Sequence, residues 1–209
     1  LFNLQLYLQV GYTSIGLLPL GIALLVLVGL IRLYQTRSLS YLLCFAVFGV
    51  YLLFAVDKAF FPINISGDYV DTMRQVPFTS FINLVPFNFN FSEMPELVVM
   101  QMYQNVLLTI PFGFGLSFVA RLRPKDFAWI IPATGVGIEA AQLVISLALG
   151  YPYRVIDVND AILNALGVLI GYALFRLFAG VYAWAVRRLG IAPGGLPGYI
   201  YHVASRAKG

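Results

Sequence analysis

The sequence predicts an all-α membrane protein, a polytopic helix bundle of about five transmembrane helices with its N-terminus outside and its C-terminus cytoplasmic. Three observations carry that prediction. Of 209 residues, 60% are hydrophobic and 11% charged, with a mean hydropathy of +0.85, too little charge to cover the surface of a soluble fold this size. Several apolar runs approach or exceed the ~20 residues that span a bilayer as a helix. The segments around those runs alternate in net charge, +2, −3, +2, −1 and +4 in chain order, as the positive-inside rule asks of an odd number of spans.

The elements follow in order. Residues 1–10 are uncharged and amphipathic, and are expected to lie along the interface or to lengthen the first span. Helices are expected at roughly 11–31, 41–61, 98–120, 127–149 and 161–186. The first connection carries Arg32 and Arg37, the third Arg121, Arg123 and Lys125 against Asp126, and the tail Arg187, Arg188, Arg206 and Lys208. These three are expected on the cytoplasmic side. The stretch Pro62–Leu97 holds Asp68, Asp71, Glu93 and Glu96 against Arg74, and Gly150–Asp160 holds Asp157 and Asp160 against Arg154. These two are expected outside. Phe78, Phe81, Phe87, Phe89 and Phe91 make the longer one too apolar for a solvated loop, and place it on or into the outer interface. One transmembrane domain is expected over 1–190, with a flexible cytoplasmic tail over 191–209 whose start, Ala192–Gly198, is rich in glycine and proline.

The chain begins at Leu1 rather than methionine, so a few upstream residues are expected. The first run is too long for a cleaved signal peptide and lacks its charged start. Cys44 is the only cysteine, which excludes a cysteine-built zinc site and reports nothing on disulfides. The basic residues flank apolar runs as topology signals do, so no nucleic-acid partner is expected.

A charged side chain at mid-bilayer costs ~2.5–3.5 kcal/mol on translocon scales, so it turns toward the bundle interior. The third span sets Gln101, Asn105 and Thr109 on one helix face, and the fourth Gly135, Glu139, Gln142 and Ser146. The fifth continues the pattern with Asp157, Asp160, Asn164, Gly167 and Gly171. At ~1.5 Å per residue, Ser146 and Asn164 lie ~5 Å inside, Asn105 and Gln142 ~10 Å, and Glu139 ~15 Å. Arg154, Asp157 and Asp160 stand at the mouth, so the expected shape is a funnel open to the outside with Glu139 near its floor. Pro111, followed by Gly113 and Gly115, predicts a bend or an unwound turn that exposes carbonyls to the cavity.

Plainer roles stand beside these. Gly167 and Gly171 read as a packing pair. Asn105, Gln101 and Gln142 serve equally well as interhelical partners. Asp160 serves as a helix N-cap with Asp157 in the preceding turn, and Arg154 as an ion-pair partner closing its loop. Asp57 and Lys58, near the outer end of the second span, read as structural. Glu139 is the hardest to explain by packing alone.

The order Asn105…Pro111-Phe-Gly113, Glu139-Ala-Ala-Gln142, then Arg154-Val-Ile-Asp157-Val-Asn-Asp160-Ala-Ile-Leu-Asn164-Ala-Leu-Gly167-Val-Leu-Ile-Gly171 resembles the VanZ-like family over about residues 50–175. Asn83-Leu-Val-Pro86-Phe87 is similar to that family's upstream motif, and Thr109 departs from the phenylalanine usual there. The resemblance implies a multi-pass protein of the bacterial cytoplasmic (inner) membrane, linked through the family's namesake to resistance to teicoplanin, a lipid-tailed glycopeptide.

Three functions compete. In the first, a lipid-linked envelope molecule or lipoglycopeptide binds from the outer leaflet, with Asn105, Glu139, Gln142, Arg154, Asp157, Asp160 and Asn164 meeting its polar part among the membrane lipids. The second is an enzyme on an envelope lipid, with Glu139, Asp157 and Asp160 as catalytic candidates for acid–base work. No cofactor is expected, and Mg²⁺ or Ca²⁺ is the cation such carboxylates would take. The sole histidine, His202, lies in the tail, so histidine-based nucleophilic schemes lack their base at the outer site. The third is transport through Glu139; five spans without an inverted repeat would need an oligomer for that.

Overall fold

The computed structural model describes residues 14–15, 18–36, 38–89, 91, 94–190 and 192–207. The expectations for residues 1–10, and the charges of Arg37, Glu93 and Lys208, lie outside them.

Among the described residues, seven α-helices follow in chain order: α1 Leu18–Thr36, α2 Leu39–Phe60, α3 Gly67–Arg74, α4 Pro95–Val119, α5 Phe127–Leu149, α6 Val158–Leu189 and α7 Gly195–Arg206. Four two-residue strands accompany them among the same residues: β1 Ser14–Ile15, β2 Ile63–Asn64, β3 Ile82–Asn83 and β4 Ile156–Asp157. Among the described residues, α2, α4, α5 with the 3-10 turn before it, and α6 are long and apolar enough to cross a membrane. The apolar part of α1, Gly21–Gln35, is shorter. Four spans and one shorter apolar helix thus stand where about five were expected, and the molecule is an all-α membrane helix bundle.

Local chemistry sets the helix ends. Ser38 caps α2 by accepting from the N–H of Tyr41 at 3.4 Å. Pro95 opens α4, where its missing N–H costs nothing. Before α5, the N–H of Arg123 donates to Asp126 Oδ2 at 2.7 Å. Gly150, at φ 72°, ends α5 in the left-handed region that a side chain rarely adopts.

The long helices are inverted relative to those of a soluble protein. The buried residues of α5 are Phe127 at its start and then Gly135, Glu139, Gln142 and Ser146, its polar and small stripe. Its apolar side chains, Val136, Val144 and Leu147 among them, face outward. Lipid rewards that arrangement, since it solvates valine and leucine and rejects carboxylates.

The most extensive helix contact is between α4 and α6. A Cβ on Gly167 would meet the Val106 carbonyl and the Thr109 hydroxyl, and one on Gly171 the Ile110 carbonyl. From the other side, a Cβ on Gly113 would meet the Val168 carbonyl. The Gly167/Gly171 pair therefore packs backbone on backbone; of the bend or unwound turn expected at Pro111, the unwound turn is absent. α4 runs unbroken from Pro95 to Val119, with α6 packed on it at Gly113 and Tyr51 Oη donating to the Leu108 carbonyl at 2.7 Å.

The tail also differs from expectation. Instead of a loose end it forms α7, whose Val203 and Ala204 are buried against Phe175, Ala179 and Ala183 of α6. Tyr199 Oη donates to the Phe118 carbonyl, and Tyr182 Oη to that of Pro197 at 3.1 Å. Gly194 stands at the N-cap, and Gly195, Pro197 and Gly198 form the first turn of a helix whose apolar face finds a partner on α6.

At the opposite end, the segment between α2 and α4 folds back over the bundle. β1 pairs antiparallel with β2, and β3 pairs parallel with β4, setting Asn83 beside Asp157.

Candidate functional site

The polar stripes converge at one end of the bundle, where α5 stops, α6 starts and α2 ends. Past Gly150, the Tyr151 ring is buried and its hydroxyl donates to the Asn64 carbonyl. Arg154 Nη2 donates to the carbonyls of Lys58 and Phe61, at 3.1 Å each. No ion pair of Arg154 occurs among the described residues. The expected loop-closing partner is instead the C-terminus of α2, whose last carbonyls lack helical donors and favour a cation.

Asp157 is the N-cap of α6, accepting from the N–H and the Nδ2 of Asn159 at 2.8 Å through one oxygen. Its other oxygen accepts from Asn83 Nδ2 at 3.0 Å. Asp160 therefore sits in the first turn rather than at the cap, and accepts from Asn105 Nδ2 at 2.5 Å. Glu139, 7% exposed, accepts from the N–H of Asp157 through Oε2 at 3.0 Å. A carboxylate at a helix N-terminus meets free N–H groups and the positive end of the peptide dipoles, which offsets part of the cost of burying it.

Asn105, Glu139, Asp157 and Asp160 thus form one cluster joining α4, α5 and α6. Gln142 Nε2 turns to the Ala59 carbonyl at 2.8 Å and, with Arg154, ties the cluster to the end of α2. Asn164 lies one turn deeper, its carbonyl accepting from Thr109 Oγ1 at 2.7 Å. Gln101 is exposed and stands apart from the cluster. Among the described residues, Ser146 Oγ and Asn164 Oδ1 are buried without a hydrogen-bond partner, which is unusual for polar atoms in a folded interior.

Asn159, inside the Arg154–Gly171 motif but off its helical stripe, joins more of the surrounding backbone than any other described side chain of the cluster. It is 1% exposed; Oδ1 accepts from the N–H of Phe87 at 2.6 Å, and Nδ2 reaches the carbonyls of Val85 and Asn88 at 3.4 Å. It pins the loop 83–88 onto the carboxylate cluster. Helical spacing from Asp157 passes over it. The signal that could have found it is local, an Asp with an amide two residues on, where side chains bond the nearby backbone.

The protein-family model VanZ/LLP1 matches residues 48–179, a stretch that contains every residue of the cluster. The chain belongs to the VanZ/LLP1 family. No curated protein and no solved structure matches this VanZ/LLP1 chain. The matched region runs from within α2 to within α6 and omits α1 and α7.

Chemically, the cluster is rich in oxygen acceptors and poor in nucleophiles. His202 is exposed on α7, far along the bundle, and Cys44 is on α2 near its start. Among the described residues, no three or more His, Cys, Asp and Glu side chains converge as a metal site would need. The Mg²⁺ or Ca²⁺ alternative therefore rests on sequence alone. What three neighbouring carboxylates do accept is hydrogen-bond donors: hydroxyls, amides or an ammonium group.

Proposed function

We propose that this VanZ/LLP1 protein binds a lipid-linked envelope molecule, or a lipoglycopeptide of the teicoplanin type, at the carboxylate end of its bundle. That end faces the extracytoplasmic side of the bacterial inner membrane. The observation that carries the proposal is the cluster of Glu139, Asp157 and Asp160 beneath a loop that exposes Leu84 (70%), Val85 and Phe87 (76%). A hydroxyl- or amine-rich headgroup would meet the carboxylates, Asn105, Gln142, Arg154 and Asn164, while an acyl tail lies along the apolar loop tip. The charge alternation of the connecting segments supports the orientation. The family's link to teicoplanin resistance supports the class of ligand.

Photo-crosslinking with a lipid-tailed sugar or glycopeptide probe tests the proposal. Labelling of the wild-type chain should map to the 83–88 loop and fall in Asp157→Ala/Asp160→Ala. Labelling equal to that of the double variant argues against it.

A second reading, acid–base chemistry on an envelope lipid, draws on Glu139 alone. Its carboxylate is nearly buried and its described partner is one backbone N–H, so an oxygen is left for a proton transfer. Turnover of envelope lipids by purified protein, abolished by Glu139→Gln, would favour it over binding.

A further inference from the structure

The loop 83–88 lies over the start of α6, yet little holds it there. The side chains of Leu84, Val85, Pro86 and Phe87 are all exposed, so apolar burial contributes little to its docking. Its attachments are polar: the two-residue β3–β4 pair, Asn83 Nδ2 on Asp157 Oδ2 at 3.0 Å, and the Phe87 N–H on Asn159 Oδ1 at 2.6 Å. Segments with few buried apolar contacts lie at the low end of local stability. The backbone also works against closure. Val85–Asn88 is a turn, with Pro86 at its second position and the Asn88 N–H donating to the Val85 carbonyl at 3.3 Å. Phe87, at the third position, has φ 61°, the left-handed value of a type II turn, which normally selects glycine there. Phenylalanine in that region is a bulky side chain in a conformation that L-residues avoid.

We propose that the loop is a strained lid: closed, it sets its own N–H donors on acceptors that a ligand needs, and opening frees Phe87 from its left-handed turn. The identity of the ligand rests on the binding reading above; the strain and the latch do not. Asp157 Oδ2 and Asn159 Oδ1 stand beside Glu139 and Asp160, and the loop fills both atoms. Asn159, 1% exposed, is reached only once the loop has moved. A headgroup bearing hydroxyl, amide or ammonium donors replaces Asn83 and the Phe87 N–H at those two acceptors, bond for bond. Relief of strain at Phe87 offsets part of the cost of lifting the loop. The exposed Leu84 and Phe87 give a lipid tail a hold on the lid from outside. A ligand that carries both parts therefore opens the lid better than either part alone.

The first test needs no ligand: hydrogen exchange over 83–88 in the full chain in nanodiscs. Phe87→Gly and Phe87→Ala both delete the ring, but only glycine relieves the left-handed turn. The glycine variant should open, and exchange, about fivefold more slowly than the alanine variant. Equal rates, or faster exchange in Phe87→Gly, would overturn the strained lid. The second test locks the loop. In a Cys44→Ser background, Ile82→Cys/Ile156→Cys joins residues that are Cα partners in the β3–β4 register. Oxidised, that variant should bind a lipid-tailed glycopeptide at least about tenfold more weakly than the same protein reduced. Equal binding in the two redox states would overturn the lid and leave the ligand reading standing. Absence of binding in both states and in the wild-type chain would remove the ligand reading, and the exchange rates of the two Phe87 variants would still decide the lid.

Discussion

Asn159 shows how little of this cluster is decoration. One amide side chain ties the loop 83–88 to the start of α6, and Asp157 holds the same loop through Asn83. Asn159→Ala removes the loop's acceptor for the Phe87 N–H and leaves buried groups unpaired, at about 1–3 kcal/mol. Hydrogen exchange over 83–88 should accelerate roughly tenfold or more, with the helices unchanged. Exchange unchanged in that loop would mean that β3–β4 pairing suffices. Asp157→Ala loses a cap and two further contacts, whereas Asp157→Asn keeps the cap oxygen, so the alanine variant should be the less stable by ~1 kcal/mol in thermal unfolding. At this scale the sequence was half legible. Polar residues at helical spacing revealed Glu139, Gln142, Asp160 and Asn105, because burial in lipid leaves a polar side chain few other places to go. Asn159 and Arg154 act through loop and helix-end carbonyls, and periodicity carries no trace of such partners.

Among the elements, α4 and α6 are the pair on which the cluster depends. Gly113, Gly167 and Gly171 let their backbones approach, and that approach sets Asn105 against Asp160 and Thr109 against the Asn164 carbonyl. Gly171→Leu should push the helices apart and cost several kcal/mol by overpacking, seen as a large fall in melting temperature in detergent. Pro111→Ala should leave the melting temperature unchanged or raise it, since α4 is already continuous there and gains a backbone hydrogen bond. A marked loss on Pro111→Ala would show that the proline shapes the bundle after all. Helix existence was legible from the apolar runs, with α5 placed at its observed bounds, 127–149. The helical tail was not. Its glycines and prolines read as a loop, yet Gly195, Pro197 and Gly198 lie in the first turn of α7, which owes its stability to packing on α6 that only the tertiary fold supplies.

For the whole molecule, charge separates the two ends of the bundle. Glu139, Asp157 and Asp160 gather at one, and Arg32, Arg121 and Arg206 line a cavity at the other. Such polarity should orient the chain with its carboxylates outside. In a Cys44→Ser background, a membrane-impermeant maleimide should label Ser80→Cys in intact cells and reach Arg188→Cys only after lysis. The reverse pattern would invert the topology and remove the outer leaflet as the ligand's source. Fold class and family were visible from composition and one long motif, while the join between the ends, made of backbone contacts, was not. The most direct measurement of function is equilibrium binding, to the purified chain in nanodiscs, of a lipid-tailed glycopeptide beside the same glycopeptide without its tail. The tailed form should bind at least about tenfold more tightly, and Asp160→Ala should weaken it by a similar factor. Indistinguishable affinities for the two, untouched by Asp160→Ala, would contradict a headgroup seated on the carboxylates with its tail along the apolar loop.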